Sequence, residues 1–330
     1  MAHPLPVVLA ATLTNHATQV QAVLARSDGQ VLRRTHEISP APLAPADALA
    51  CIARLLHQML AAPASDAAQL VGATLALDAT FDGKHTTVVA LPQMPAWDGF
   101  ALREALATTL GTPHIWIDTL TNAALVGEMV EGAGLGAQTA IFIDLSRAIT
   151  AGLWWQGRLL HRPHLGALGH IPVPGAVARC ACGGRGHLET VASAQALVRW
   201  MIGGLVEAPA TEAAVMRLTD GRAEALTAPH IWQLACDGDE LATGLMSAAI
   251  MALASVSLTL LLTLDVERVI LGGALAQCGP SWLAAVRHQV AASAPPARAD
   301  ELAARVVLGQ LGPQAVLRGS IAMAQDIAAD

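Results

Sequence analysis

The chain has 330 residues, 54% of them hydrophobic and 14% charged, which is enough apolar material for two cores and argues against disorder. Its formal net charge of −7, without a cluster of Lys and Arg, argues against a nucleic-acid partner. Five cysteines, with Cys180 and Cys182 close together and Cys51, Cys236 and Cys278 apart, do not make a disulfide framework and point to a reducing, cytoplasmic setting. The start, Met1-Ala2-His3-Pro4, has no signal-peptide pattern.

Apolar runs at Pro6–Leu13 and Val20–Ala25, then Ser27-Asp28-Gly29-Gln30 before Val31-Leu32, predict hairpin strands. Leu49, Ile52, Leu55, Leu56, Met59 and Leu60 give Ala46–Ala62 helical periodicity, bounded by Pro45 and Pro63. Strands are expected at Val71–Leu77, Val88–Ala90 and His114–Ile117, and helices at about Gly99–Leu110 and Asn122–Glu131. Pro92, Pro95 and Pro113 mark the loops. The second half repeats this plan. Thr139–Leu145 and Gly152–Gln156 read as paired strands, followed by a helix from Leu188 to about Met201. Leu241–Leu264 carries no charge and is long enough to span a bilayer. Its Thr, Gly and Ser content, and the Asp265-Val266-Glu267-Arg268 that follows, favour a buried core helix and no membrane association. A strand at Arg268–Leu271 and a helix opened by Gly272-Gly273 complete the pattern, which is that of two α/β domains of related plan with a ligand cleft between them.

The segment with the clearest chemistry runs from Gly166-Ala167-Leu168-Gly169-His170 to Cys180-Ala181-Cys182-Gly183-Gly184-Arg185-Gly186-His187-Leu188-Glu189. His170, Cys180, Cys182 and His187 are four ligands of the kind that close a tetrahedral zinc site. The glycines between them allow a tight loop. Four protein ligands leave no open position for water, so the expected zinc is structural.

These residues carry a resemblance to the ROK family of bacterial sugar kinases and sugar-responsive repressors. Its zinc segment reads Gly-Glu-x-Gly-His, then Cys-x-Cys-Gly-x-x-Gly-Cys-x-Glu, with His187 here in place of the third Cys. Leu91-Pro92-Gln93-Met94-Pro95-Ala96-Trp97, Leu271-Gly272-Gly273-Ala274-Leu275 and Gly319-Ser320-Ile321-Ala322 match three further family motifs. The resemblance implies an α/β, two-domain actin-like ATPase (ribonuclease H-like) fold with an interdomain cleft. It places the N-terminal domain at 1–118, with a helix at about 313–330 packing back on it, and the zinc-bearing domain at 119–312. It also implies a cytoplasmic homodimer. No helix-turn-helix domain precedes the first strand, which disfavours the repressor branch.

The departures bear on function. The family's Asp-x-Gly-Gly-Thr phosphate motif falls at Thr14-Asn15-His16-Ala17-Thr18, without the Asp or the glycines. Its Gly-Thr-Gly-x-Gly motif falls at Ser146-Arg147-Ala148-Ile149-Thr150, again without glycines. Its catalytic Asp is Leu120 and the preceding sugar-binding Asn is Thr119; a leucine accepts no proton. Asp118 lies two residues back along a strand, roughly 6–7 Å away, which is too far to substitute. Ala167 replaces a sugar-binding Glu. Among retained positions, Glu189 reads either as a sugar contact or as a carboxylate at a helix start. His170 reads as a metal ligand first and a sugar contact second, and Asn122 as a sugar contact or a helix cap. Gly272 and Gly273 read as a nucleotide approach or a tight turn. His161 and His164 sit beside the expected cleft with no role assigned.

The expected function is a zinc-stabilised, catalytically inactive ROK homologue that binds a monosaccharide or regulates a partner, with ATP and magnesium disfavoured. Two alternatives stay open: an ATP-dependent hexose or N-acetyl-amino-sugar kinase with an altered active site, and a ROK-type regulator acting without its own DNA-binding domain.

Overall fold

The computed structural model describes residues 5–61, 68–91, 94–161 and 166–329. Pro63, Pro92, Gln93 and His164, used above, lie outside the described residues. In chain order the first elements are β1 (Leu5–Thr14), β2 (Gln19–Arg26), β3 (Val31–Ile38), α1 (Pro45–Leu60), β4 (Ala68–Leu77), β5 (Thr80–Phe81), β6 (Val88–Ala90), α2 (Leu102–Leu110), β7 (Ile115–Asp118) and α3 (Leu120–Glu131). Then come β8 (Thr139–Leu145), β9 (Ile149–Trp155), β10 (Arg158–Leu159), α4 (Glu189–Ala192), α5 (Ala194–Gly204), α6 (Pro209–Leu218), α7 (Ala228–Cys236) and α8 (Glu240–Leu264). The last are β11 (Arg268–Gly272), α9 (Gly273–Ala276), α10 (Pro280–Ser293), α11 (Ala299–Ala304), β12 (Val306–Leu308) and α12 (Ala315–Ala329).

Two compact units result. One comprises Met1–Leu135, His161–Pro163 and Pro313–Asp330; the other comprises Gly136–Leu160 and His164–Gly312. The first unit holds a five-stranded sheet of order β3-β2-β1-β4-β7, antiparallel across β1–β3 and parallel from β1 through β4 to β7. Central strand β1 is apolar from Leu5 to Ala11 because it serves two cores. Val7, Leu9, Ala11 and Leu13 face the core under α1 and α2, while Val8 and Ala10 face the core under α12. Side chains alternate across a strand, so both sets must be hydrophobic.

Helices α3 and α12 pack closely. A Cβ at Gly127 would run into the carbonyl of Ala315, and one at Gly319 into the carbonyl of Ala123. That contact explains a departure from expectation: residues 119–135 belong with the first unit, so the boundary falls after Leu135 and not after Asp118.

The second unit repeats the sheet plan, with order β10-β9-β8-β11-β12, antiparallel across β10–β8 and parallel from β8 through β11 to β12. β9 starts at Ile149, three residues before the predicted start. The helix predicted over Leu188–Met201 is two helices. Ser193 leaves helical geometry (ψ 147°) and its side chain accepts from the Ala196 amide, capping α5. Two helices unforeseen from sequence, α6 and α7, each carry a proline in the first turn. α8 packs against α4, α5, α7 and α10, burying Met246, Leu253 and Leu261 among others. It is apolar all round yet buried on one side only, since Met251 is 54% and Leu262 46% exposed.

Candidate functional site

In the first unit the β1–β2 connection lies where the first phosphate motif was expected. Leu13 pairs with Val20 and Thr14 with Gln19, so the turn must reverse the chain within four residues. It does so through three consecutive left-handed residues, Asn15, His16 and Ala17 (φ 52°, 54° and 58°). None is glycine, although L-residues pay about 1–2 kcal/mol in that region. Asn15 Nδ2 donates to Gln19 Oε1 at 2.8 Å, and the Thr18 hydroxyl donates to the Asn15 carbonyl at 2.7 Å. Ala17 is buried and its carbonyl accepts from the Leu43 amide. The turn is thus built from residues with side chains and holds no glycine.

At the second phosphate position, between β8 and β9, two side chains accept from backbone amides of the same unit. Asp144 Oδ1 accepts from the Ser146 amide at 2.9 Å, and Ser146 Oγ accepts from the Ala274 amide at 3.1 Å. The Ala274 amide belongs to the first turn of α9, where N–H groups lack an intrahelical partner. Gly273 (φ 80°) turns β11 into α9. A Cβ there would lie 2.5 Å from Asp144 Oδ1 and 2.6 Å from Ser146 Oγ. Gly272 and Gly273 make a tight strand-to-helix turn, which leaves the nucleotide reading of these glycines open.

The four expected zinc ligands converge in the second unit. His170 ends a 3-10 turn over Ala167–His170, and a short knuckle presents the rest. Bridges at Pro172–His187 and Arg179–Arg185 close its stem, and the Cys180 amide donates to the Gly184 carbonyl at 2.9 Å. Gly184 passes over the His187 ring, with a notional Cβ only 2.8 Å from Nε2. Cys180 Sγ lies 3.5 Å from His170 Nδ1, and Cys182 Sγ 3.3 Å from His187 Nδ1. One donor atom from each of the four falls within 4.8 Å of the others. Two thiols and two imidazoles at that spacing fit zinc.

Glu189 at the start of α4 accepts from Cys180 Sγ at 2.9 Å and lies 3.8 Å from His170 Nδ1. Burial, and then Glu189, push the Cys180 thiol up to about 12. A metal bound to the sulfur would reverse that preference, because a coordinating thiol is deprotonated.

The family's proton-acceptor position, Leu120, opens α3 in the first unit and is half-buried. Thr119, not Asn122, caps this helix, its side chain accepting from the Asn122 amide at 3.0 Å. Asn122 Nδ2 is instead committed to Asp118 Oδ1 at 2.7 Å. Asp118 ends β7, is 0% exposed, and gathers donors on both oxygens. Oδ1 also accepts from the Thr119 amide at 2.8 Å; Oδ2 accepts from Trp116 Nε1 at 3.0 Å and lies 2.7 Å from His161 Nε2. His85 Nδ1 stands 3.7 Å from Asp118 Oδ1 and 3.2 Å from the Ile117 carbonyl. The His85 and His161 rings meet edge to face at 4.5 Å. Burial would raise the Asp118 carboxyl, but His161, His85 and Asn122 together hold it below the usual carboxylate range.

Sequence reasoning missed His85 altogether and left His161 without a role. The available signal was Asp82-Gly83-Lys84-His85. The Asp82 carboxylate accepts from the Thr86 and Thr87 amides and folds that stretch into a turn carrying His85 at φ 51°.

Two α/β units with one strand order, an antiparallel meander continued by parallel strands, define the actin-like, ribonuclease-H-like class of two-domain proteins. The ROK family profile spans residues 14–327, and the chain belongs to the ROK family. It is 31% identical over 207 residues to a glucokinase of Halalkalibacterium halodurans, covering 62% of each chain. It is 29% identical over 241 residues to a glucokinase of Thermotoga maritima, covering 72% of this chain and 74% of that one. The match thus spans less than two thirds of the first of these relatives. Among solved structures, a ROK family transcriptional regulator homologous to the Escherichia coli MLC protein superimposes with a TM-score of 0.81 at 21% identity, over 98% of this chain and 78% of that one. A ROK family glucokinase from Streptomyces griseus, in complex with glucose and AMPPNP, gives 0.74 at 24% identity, over 97% and 99%. At these identities the superpositions establish the fold alone.

Proposed function

We propose that this chain is a ROK-family protein without phosphoryl transfer, held together by a structural zinc ion and responsive to a monosaccharide. The observation that carries this reading is the Ser146 hydroxyl on the Ala274 amide, which occupies the turn where a triphosphate would be cradled. Leu120 at the base position and the side-chain-filled Asn15–Ala17 turn point the same way. Phosphoryl transfer depends on positioning and on electrostatic stabilisation of the phosphates. A chain lacking both cradles and the base has lost groups that act as a unit.

The relatives supply the ligand class: one matched glucokinase structure holds glucose, and a matched ROK protein from Streptococcus pneumoniae holds sucrose. Glu189, and secondarily His170, itself one of the proposed zinc ligands, are the residues proposed to touch the sugar. Family resemblance also supports a homodimer in the cytoplasm, which light scattering on the purified chain tests.

Calorimetry with a hexose panel, with and without ATP-Mg, tests the central reading. Saturable sugar binding with no nucleotide binding is expected. Transfer of label from γ-phosphate to any hexose at rates normal for sugar kinases overturns it. Leu120→Asp alone is expected to remain inactive, because a restored base does not reopen the turn at Ser146. For the metal, Cys180→Ser combined with Cys182→Ser is expected to lose one zinc equivalent and to destabilise the second unit. An unchanged zinc content sinks that part.

A further inference from the structure

Asp118 is a carboxylate with no solvent exposure, and its ion pairs among the described residues run to two imidazoles, His85 and His161, and to no Lys or Arg. Buried charges are ordinarily paired with an opposite charge or bound to a metal. Neutral imidazoles supply no countercharge, so the pocket needs either a protonated ring or a cation.

The surroundings of Asp118 match those of a metal ligand. Trp116 Nε1, the Thr119 amide and Asn122 Nδ2 fix the orientation of the carboxylate, as outer partners of a coordinating group do. His85 is braced as well, with Phe81 packed against its ring at 5.4 Å; Trp116 stands 5.4 Å from the His161 ring. One donor atom from each of His85, Asp118 and His161 lies within 4.8 Å of the other two. The His161 Nε2···Asp118 Oδ2 separation of 2.7 Å is shorter, and the His85 Nδ1···Asp118 Oδ1 separation of 3.7 Å, to the other oxygen, is longer, than the roughly 3.3 Å between two ligands of a tetrahedral ion with bonds near 2.0 Å.

We propose that His85, Asp118 and His161 form a second metal site, in the first unit, for a divalent transition ion of zinc's character. Two imidazoles and one carboxylate suit zinc and its first-row neighbours and do not suit magnesium or calcium, which select oxygen ligands. On binding, each imidazole presents a neutral nitrogen to the ion, the proton between His161 Nε2 and Asp118 Oδ2 leaves to solvent, and His85 Nδ1, where it is the ligating atom, gives up its contact with the Ile117 carbonyl. Three protein ligands leave a fourth position for water or for an oxygen of a small ligand, unlike the closed Cys180–His187 set. This inference does not rest on the reading under Proposed function and survives if the chain proves to be an active kinase.

The test uses the full chain stripped of metal with a chelator and titrated with Zn²⁺ for stoichiometry and with Co²⁺ for its absorption spectrum. Two zinc equivalents are expected for the unaltered chain. His85→Gln with His161→Gln, checked for native near-UV dichroism, is expected to lose one equivalent while keeping the thiolate-to-cobalt charge-transfer band. If that variant binds as much zinc as the unaltered chain, the site does not exist. Cys180→Ser with Cys182→Ser gives an independent reading should the histidine variant not fold. It is expected to lose the charge-transfer band and retain one equivalent, and no bound zinc in it overturns the proposal.

Discussion

Both carboxylate oxygens of Asp118 are met by donors, Trp116 and His161 on one, Thr119 and Asn122 on the other. An asparagine there must aim its NH₂ at donors in either orientation. Asp118→Asn is therefore expected to cost about 2–4 kcal/mol in the metal-free chain, read from urea denaturation. A loss below about 0.5 kcal/mol contradicts this hydrogen-bond account. Ala17, left-handed at φ 58°, gives the opposite sign. Glycine relieves about 1–2 kcal/mol of strain and gives back about 0.5–1 in chain entropy, so Ala17→Gly is expected to raise stability by about 0.5–1 kcal/mol. An unchanged or lowered urea midpoint argues that packing of the buried methyl outweighs strain.

At the level of elements, the α3–α12 crossing is set by glycine. Gly319→Ala pushes a methyl into the carbonyl of Ala123, and a destabilisation of about 2–3 kcal/mol is expected. Gly203→Ala, at a position open to space, should by comparison be neutral or better, and calorimetric midpoints distinguish the two. The same crossing shows where sequence reasoning stopped. Hydrophobic runs located β1, β4, β8 and β11 because buried strands must be apolar on both faces. The cluster of His170, Cys180, Cys182 and His187 was legible because four donors sit in one short segment. The membership of α3 was not, since it depends on a helix some two hundred residues later in the chain. His85 and His161 were equally hidden. They lie 33 and 43 residues from Asp118, and no spacing rule joins residues brought together only by folding. The break at Ser193 was legible in principle, because serine at a cap position is a local signal.

For the whole molecule, two thiols of the second unit, Cys236 and Cys278, offer a readout of stability. Burial, with the neighbouring charge of Cys236, pushes the Cys278 thiol up to about 12. The folded chain then keeps a proton that the unfolded chain releases near pH 8.5. The stability from this group is complete below that pH and is lost as pH rises toward 12. Thermal midpoints from pH 7 to 11 are expected to fall less steeply for Cys278→Ala, and identical slopes count against this assignment. Exposed Cys236 should react with a thiol reagent at pH 8 well before Cys278. The hydroxyl of Ser146 has a kinetic signature of its own. Amides in the opening turn of a helix usually trade protons with water quickly. The Ala274 amide, tethered across from one strand connection to another, should be slow to take up deuterium, and Ser146→Ala should set it free.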